Sequence, residues 1–204
     1  MFSTFLSFIF PQTPHDALVQ QTRVLQPDPH TITTASGTSI LSCTKYAIPQ
    51  VKAAIRELKN RKSIPAAVLL ANLLADTLLE ELADIHLWNS AQVVIVPLPN
   101  SRKKTRLRGF NPTEELCKAL PEEMSALVDT HILVQIKDVP AQKTLSRTER
   151  LCNKKGIFYV TKDIQNQHVI LVDDVVTTGA SLTEATLSLE KAGAVVTAVA
   201  CARS

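Results

Sequence analysis

Apolar residues recur along this chain with two different periods. Val169, Ile170, Leu171 and Val172 form an unbroken, mostly β-branched block, which predicts a strand buried on both faces of a parallel sheet. Gln92 to Pro97, QVVIVP, predicts another, the first long central strand, and Ile132 to Ile136 and Val195 to Ala200 complete the set. Between Tyr46 and Asp84 the spacing is helical instead: Val51, Ile55 and Leu58, then Val68, Leu69, Leu73, Leu74, Leu78 and Leu82, with Pro65 separating two helices. Leu182, Ala185, Leu189 and Ala192 mark one face of a helix over Thr183 to Lys191, with Gly193 as its C-terminal cap. Strands alternating with helices in this way predict an α/β fold, a mainly parallel central sheet flanked by helices.

The first third of the chain lacks such a pattern. Gln12 to Ser42 is rich in Thr, Ser, Gln and Pro with few apolar residues, which predicts an irregular or weakly ordered connection. MFSTFLSFIF ahead of it is too short to span a bilayer and lacks the basic flank of a secretory signal. A short helix ending before Pro11 is the preferred reading, and it places the protein in the cytoplasm with no membrane contact. The division expected is residues 1–45 as leader and irregular segment and residues 46–204 as one compact domain, since 204 residues with 45% hydrophobic content suffice for a single core.

Charge and cysteines narrow the chemistry. The net charge of +3 is modest, and its cations concentrate between Arg102 and Arg108 and between Lys143 and Lys155, which suits local anion binding better than a general nucleic-acid surface. Cys43, Cys117, Cys152 and Cys201 lie far apart with no CxxC pair, so the sequence carries neither a zinc site nor a disulfide framework. Lys59, Arg61 and Lys62 close the first helix, where the helix dipole favours cations; that explanation is preferred to a substrate role for Lys59.

The chemistry-bearing stretch is His168 to Ser181, HVILVDDVVTTGAS. Asp173 and Asp174 at the end of the strand are acceptor-only groups suited to vicinal sugar hydroxyls or to a hard cation held through waters. Thr177, Thr178, Gly179, Ala180 and Ser181 then supply hydroxyls, a glycine and the free N–H groups of a helix start near Leu182, which suits a phosphate dianion. The alternative is that DD merely ends a strand and TTGAS merely caps a helix. Arg108, Gly109, Phe110 and Asn111 follow the strand at Pro97, and the crevice of an open α/β sheet lies beyond such strand ends, so both segments converge on one site. Phe110 is expected to anchor its loop by burial, and His168 to sit on the surface at the opposite end of the sheet.

HVILVDDVVTTGAS resembles the PRPP-binding motif of type I phosphoribosyltransferases: two hydrophobic residues, DD, two variable residues, TTG and a small residue. Together with VPLPNSRKKTRLRGFN and QKTLSRTERLCNKKGIF, in that order, it is similar to the motif set of ComF-type phosphoribosyltransferase proteins, over about Tyr46 to Ala200. FIFP near the start resembles the short leader preceding the zinc ribbon of many members, but the ribbon cysteines are absent and zinc is not carried over. Pro112 stands where the family usually continues GFN with Gln; a proline is accepted at a helix start.

The resemblance implies a type I phosphoribosyltransferase-like fold and transfer of a 5-phosphoribosyl group from PRPP to a nitrogen nucleophile, with pyrophosphate released. By that likeness Thr177, Thr178, Gly179, Ala180 and Ser181 hold the 5-phosphate, and Asp173 and Asp174 hold the ribose hydroxyls and, indirectly, Mg²⁺. Arg102, Arg108 and Gly109 belong to the pyrophosphate loop. Lys143, Ser146, Arg147 and Arg150 belong to a flexible cover that closes over the substrate and excludes water; the same segment also reads as an ordinary amphipathic helix. The acceptor is unidentified. A second reading is a non-catalytic PRPP- or nucleotide-binding accessory factor in DNA uptake or processing, with the competence machinery as partner. Single-stranded DNA is a third, for which an aromatic content of 4% offers few stacking platforms. A homodimer is compatible with all three.

Overall fold

The computed structural model describes residues 13–81, 93–136 and 156–204. In chain order these form α1 (Pro14–Gln21), β1 (His30–Thr33), β2 (Ser39–Lys45), α2 (Pro49–Arg61), α3 (Ile64–Glu81), β3 (Val93–Pro97), α4 (Arg102–Arg108), α5 (Pro112–Lys118), α6 (Glu122–Ser125), β4 (Leu133–Gln135), β5 (Phe158–Val160), β6 (His168–Val176), α7 (Ala180–Lys191) and β7 (Val195–Arg203). A five-stranded sheet runs in the order β1-β2-β7-β6-β3. All its pairings are parallel except β1 with β2.

Strand β6 is paired along both edges, with Val169–Val172 opposite Val94–Pro97 of β3 and Val196–Val199 of β7. Its alternation splits the interior into two cores. Ile170 and Val172 join Cys43, Val199 and Cys201 beneath α2, α3 and α5, whereas Val169 and Leu171 join Ile40, Ala198 and Ala200 beneath α7 and the β4–β5 ribbon. The outer edge of β3 is closed by backbone bonds, the Ile95 N–H donating to Leu127 O and the Asp129 N–H to Ile95 O, which leaves little edge for intermolecular pairing. No helix among the described residues is long and apolar enough to cross a membrane.

Four sequence expectations are corrected. Residues 13–45 are ordered: α1, β1 and β2 occupy the stretch read as irregular, and β2 is a full sheet strand whose Ile40 and Cys43 are completely buried. Its polar lettering, SILSCTK, is misleading because Ser42 and Thr44 are buried too, and their hydroxyls donate to the carbonyls of Thr44 and Gln26. The boundary at residue 45 therefore cuts through the sheet. Second, Leu133–Gln135 does not join the parallel sheet but pairs antiparallel with β5 as a separate ribbon. Third, the break between the two helices lies at Lys62, which adopts a left-handed conformation (φ 54°), and Pro65 sits in the first turn of α3, where its missing N–H costs nothing. Fourth, β6 runs four residues beyond Val172, so Asp173 and Asp174 lie within a paired strand rather than after it.

A chain that begins at Tyr46 lacks β2 and leaves the β7 edge and the Ile40 side of the core open to water. It is expected to show no cooperative thermal transition by circular dichroism; a sharp transition near that of the full chain would restore the original boundary.

Candidate functional site

The site forms where β6 and β3 end side by side. The Leu98 N–H donates to Val172 O at 2.7 Å, extending the ladder past Pro97 and holding the start of the cationic segment against the carboxylate strand. Ser101 then caps α4 by accepting from the Lys104 N–H, and Gly109, at φ 83°, turns the chain out of it. Asn111 fastens this return. Its buried side chain donates to Leu98 O at 3.1 Å, accepts from Asn100 Nδ2 at 3.0 Å and caps α5 through the Thr113 N–H, so Pro112 stands at a first helical position where it is tolerated.

The elements enclose a cleft of about 310 Å³, within the range of small-molecule sites. Lys59, Lys104, Arg108, Asp173, Asp174 and Ser181 line it, with Leu98, Gln135, Ile157 and Phe158 among the other residues of its wall. Arg102 is exposed and lies off the cleft, and Gly109 serves as the end of α4 rather than as lining. The reason is helical geometry: α4 presents Lys104 and Arg108, four residues apart, on one face and turns Arg102 away. Phe110 is only half-buried, with the Lys62 ammonium 5.9 Å from its ring centroid. None of the five cations of α4 is engaged in a salt bridge among the described residues.

Beside the cleft, a smaller concavity of about 50 Å³ is lined by Asp173 and by Val175 to Leu182. Helix α7 opens here two residues earlier than the sequence suggests, at Ala180, and Gly179 caps it in a left-handed conformation with no side-chain acceptor. The N-cap position of this helix is a glycine, so none of the TTGAS hydroxyls stands at the N-cap itself. Gly179 is also sterically required: a Cβ there would meet Thr34 Cγ2 at 2.6 Å and Ile40 Cδ1 at 2.8 Å. The turn after β1 therefore underlies the loop, and the Thr183 hydroxyl reaches the Thr34 hydroxyl at 3.4 Å.

The two carboxylates have different surroundings. Asp174 is buried and its Oδ1 meets Lys59 Nζ at 2.7 Å, so Lys59 reaches the site instead of serving the dipole of its own helix, which corrects the sequence reading. Asp173 is half-buried and accepts the Asp174 N–H at 2.8 Å through Oδ1. Desolvation and then the charge of Asp174 push its carboxyl up to about 7, against the pull of that N–H, Lys59 and Lys104. His168 stands at the far end of β6, as expected, bonded through Nε2 to the Thr197 hydroxyl at 2.8 Å, with its pKa lowered by desolvation. Lys143, Ser146, Arg147 and Arg150 lie outside the described residues.

Sequence reasoning ranked a substrate role for Lys59 below the helix dipole and left Lys104 as one cation among five. Reading RKKTRLR as a helix would have singled out Lys104 with Arg108; nothing local to Lys59 announces a partner in β6. Among the described residues no three His, Cys, Asp or Glu side chains gather to cage an ion. Two adjacent hard-oxygen carboxylates that both line the cleft do fit Mg²⁺ held largely by a substrate's own phosphates.

Two outcomes follow. Because the pKa of Asp173 is raised on folding, its protonated form stabilises the ligand-free fold at low pH, and that contribution is lost as pH climbs from about 4 through about 7. Asp173→Asn should therefore raise the thermal midpoint at pH 8 and flatten its pH dependence, by linkage at most about 4 kcal/mol and less to the extent that water screens the half-open side chain. Gly179→Ala should cost about 2–4 kcal/mol in denaturant titrations, from the positive φ and the overlap with Thr34.

The Phosphoribosyl transferase domain family matches residues 108–204. Of curated proteins, DNA utilization protein YhgH of Salmonella typhimurium is 31% identical over 162 residues, 79% of this chain and 70% of that one. Competence protein ComFC of Streptococcus pneumoniae is 29% identical over 69% of this chain and 59% of its own length. Competence protein F of Haemophilus influenzae is 30% identical over 48% and 44%. With the parallel sheet, the DD strand and the Gly179 loop in the order that the motifs required, the chain belongs to the ComF-type phosphoribosyltransferase family.

Proposed function

We propose that the cleft binds PRPP with Mg²⁺ and that the protein transfers the 5-phosphoribosyl group to a nitrogen nucleophile, releasing pyrophosphate. The observation that carries this reading is the junction of three environments at one sheet edge: a helix start with glycine at its N-cap, a carboxylate pair and a cationic helix face. The opening of α7 and the hydroxyls of Thr177, Thr178 and Ser181 receive the 5-phosphate. Asp173 and Asp174 accept from the ribose hydroxyls and stabilise the positive charge that develops on the sugar as the diphosphate departs. Lys104 and Arg108 take the diphosphate. Mg²⁺, when bound, neutralises diphosphate charge and makes it a better leaving group. Catalysis is then largely positioning and charge stabilisation, and Gln135, Ile157 and Phe158 form the wall available to an acceptor.

A second reading is supported by the names of the relatives, DNA utilization protein and competence protein. In it the same cleft holds PRPP or a nucleotide without turnover, and the protein acts as an accessory factor in DNA uptake or processing in the cytoplasm.

Calorimetry with PRPP and Mg²⁺ on the wild type and on Asp173→Asn/Asp174→Asn tests the shared part of both readings, and unchanged affinity in the double variant would sink the assignment. Loss of a charge-assisted contact predicts that Arg108→Ala weakens PRPP about 10- to 100-fold, whereas Arg102→Ala changes it less than about threefold. Pyrophosphate release with a panel of nitrogenous bases separates the readings: tight PRPP binding with no release favours the accessory role.

A further inference from the structure

We infer that Lys59 is a positioning residue for the carboxylate pair, fixing the Asp174 carboxylate beside Asp173 in the orientation that meets ribose hydroxyls. The inference rests on the phosphoribosyl reading of the cleft and deepens it. Lys59 lies outside the span of the family match, residues 108–204, yet its ammonium makes the 2.7 Å contact with Asp174 Oδ1. The pair is well shielded, with side-chain exposures of 30% and 10%, so it is not a screened surface contact.

Lys59 is held from below. It occupies the last turns of α2, whose Ile55 and Leu58 are fully buried in the core. The neighbouring Lys62 ties the end of α2 to Glu115 of α5 at 3.2 Å, so the base of the Lys59 stem is braced on two sides. Asp173 is held separately, by the Asp174 backbone N–H that donates to its Oδ1. Lys104 and Arg108 share the cleft but neither pairs with Asp174, which separates their work from that of Lys59.

Removal of Lys59 would leave Asp174 buried and without its partner, free to turn toward water or toward Asp173. Ion pairs at such depth are often no more stable than apolar replacements, so retention of one beside a cleft is most economically explained by the orientation it imposes.

The test is calorimetric titration with ribose 5-phosphate and, separately, with pyrophosphate, both with Mg²⁺, on wild type, Lys59→Met, Lys59→Arg, Asp174→Asn and Lys59→Met/Asp174→Asn. Lys59→Met is expected to weaken ribose 5-phosphate at least about tenfold while leaving pyrophosphate within about twofold. Lys59→Arg restores most of the loss, and Lys59→Met adds nothing in the Asp174→Asn background. Equal weakening of both ligands would make Lys59 a direct anion contact and overturn the inference, as would independent losses in the double variant or no loss in Lys59→Met. Should Lys59→Met fail to fold, the double variant, which leaves no buried unpaired charge, is compared with Asp174→Asn, and Lys59→Arg with wild type. A wild type that binds neither ligand overturns the phosphoribosyl reading and this role together; wild-type binding unaffected by Lys59→Met overturns this role alone.

Discussion

The double-sided pairing of β6 is the constraint on which everything else in this protein depends. With β7 on one edge and β3 on the other, and with apolar contacts on both faces, the strand has no freedom of register. A slip of one residue would exchange the two cores and swap the faces on which Asp173 and Asp174 stand. The carboxylates are thus placed by hydrophobic burial several residues away, and the stability of the sheet becomes the precision of the site. The same pairing sets the cationic helix, since the ladder continues through Leu98 before the chain turns into α4.

How far the sequence revealed this depended on whether the information was local. The DD strand and the loop after it were legible because one short stretch contains strand, carboxylates, glycine and helix start together. The helices over Pro49–Glu81 were legible for the same reason, through their spacing. Strand β2 was not, because two of its buried positions are filled by Ser42 and Thr44, whose hydroxyls find carbonyls nearby and so escape the usual penalty for polar burial. Lys59 was ranked wrongly for another reason: its partner is distant in sequence, and a lysine near the end of a helix already has a sufficient local explanation. Arg102 was overrated because a run of cations does not by itself say which ones share a face.

The site also shows an opposition between stability and chemistry. Two adjacent carboxylates, one buried and one half-buried, repel one another, and the folded chain tolerates them by pairing one with Lys59 and by raising the pKa of the other. A ligand or cation that brings positive charge or hydroxyl donors to Asp173 relieves this tension. On the proposed reading, binding would be coupled to folding through that side chain.

The contact between Thr34 and Gly179 has a consequence for how this sequence can change over time. The two residues share one small volume, so a larger side chain at either position excludes its neighbour, and neither can drift without compensation by the other or by Ile40. The amino-terminal hairpin is therefore bound historically as well as physically to the loop at the opposite end of the chain. A larger residue at position 179 would therefore have to be met by a smaller one at 34 or 40.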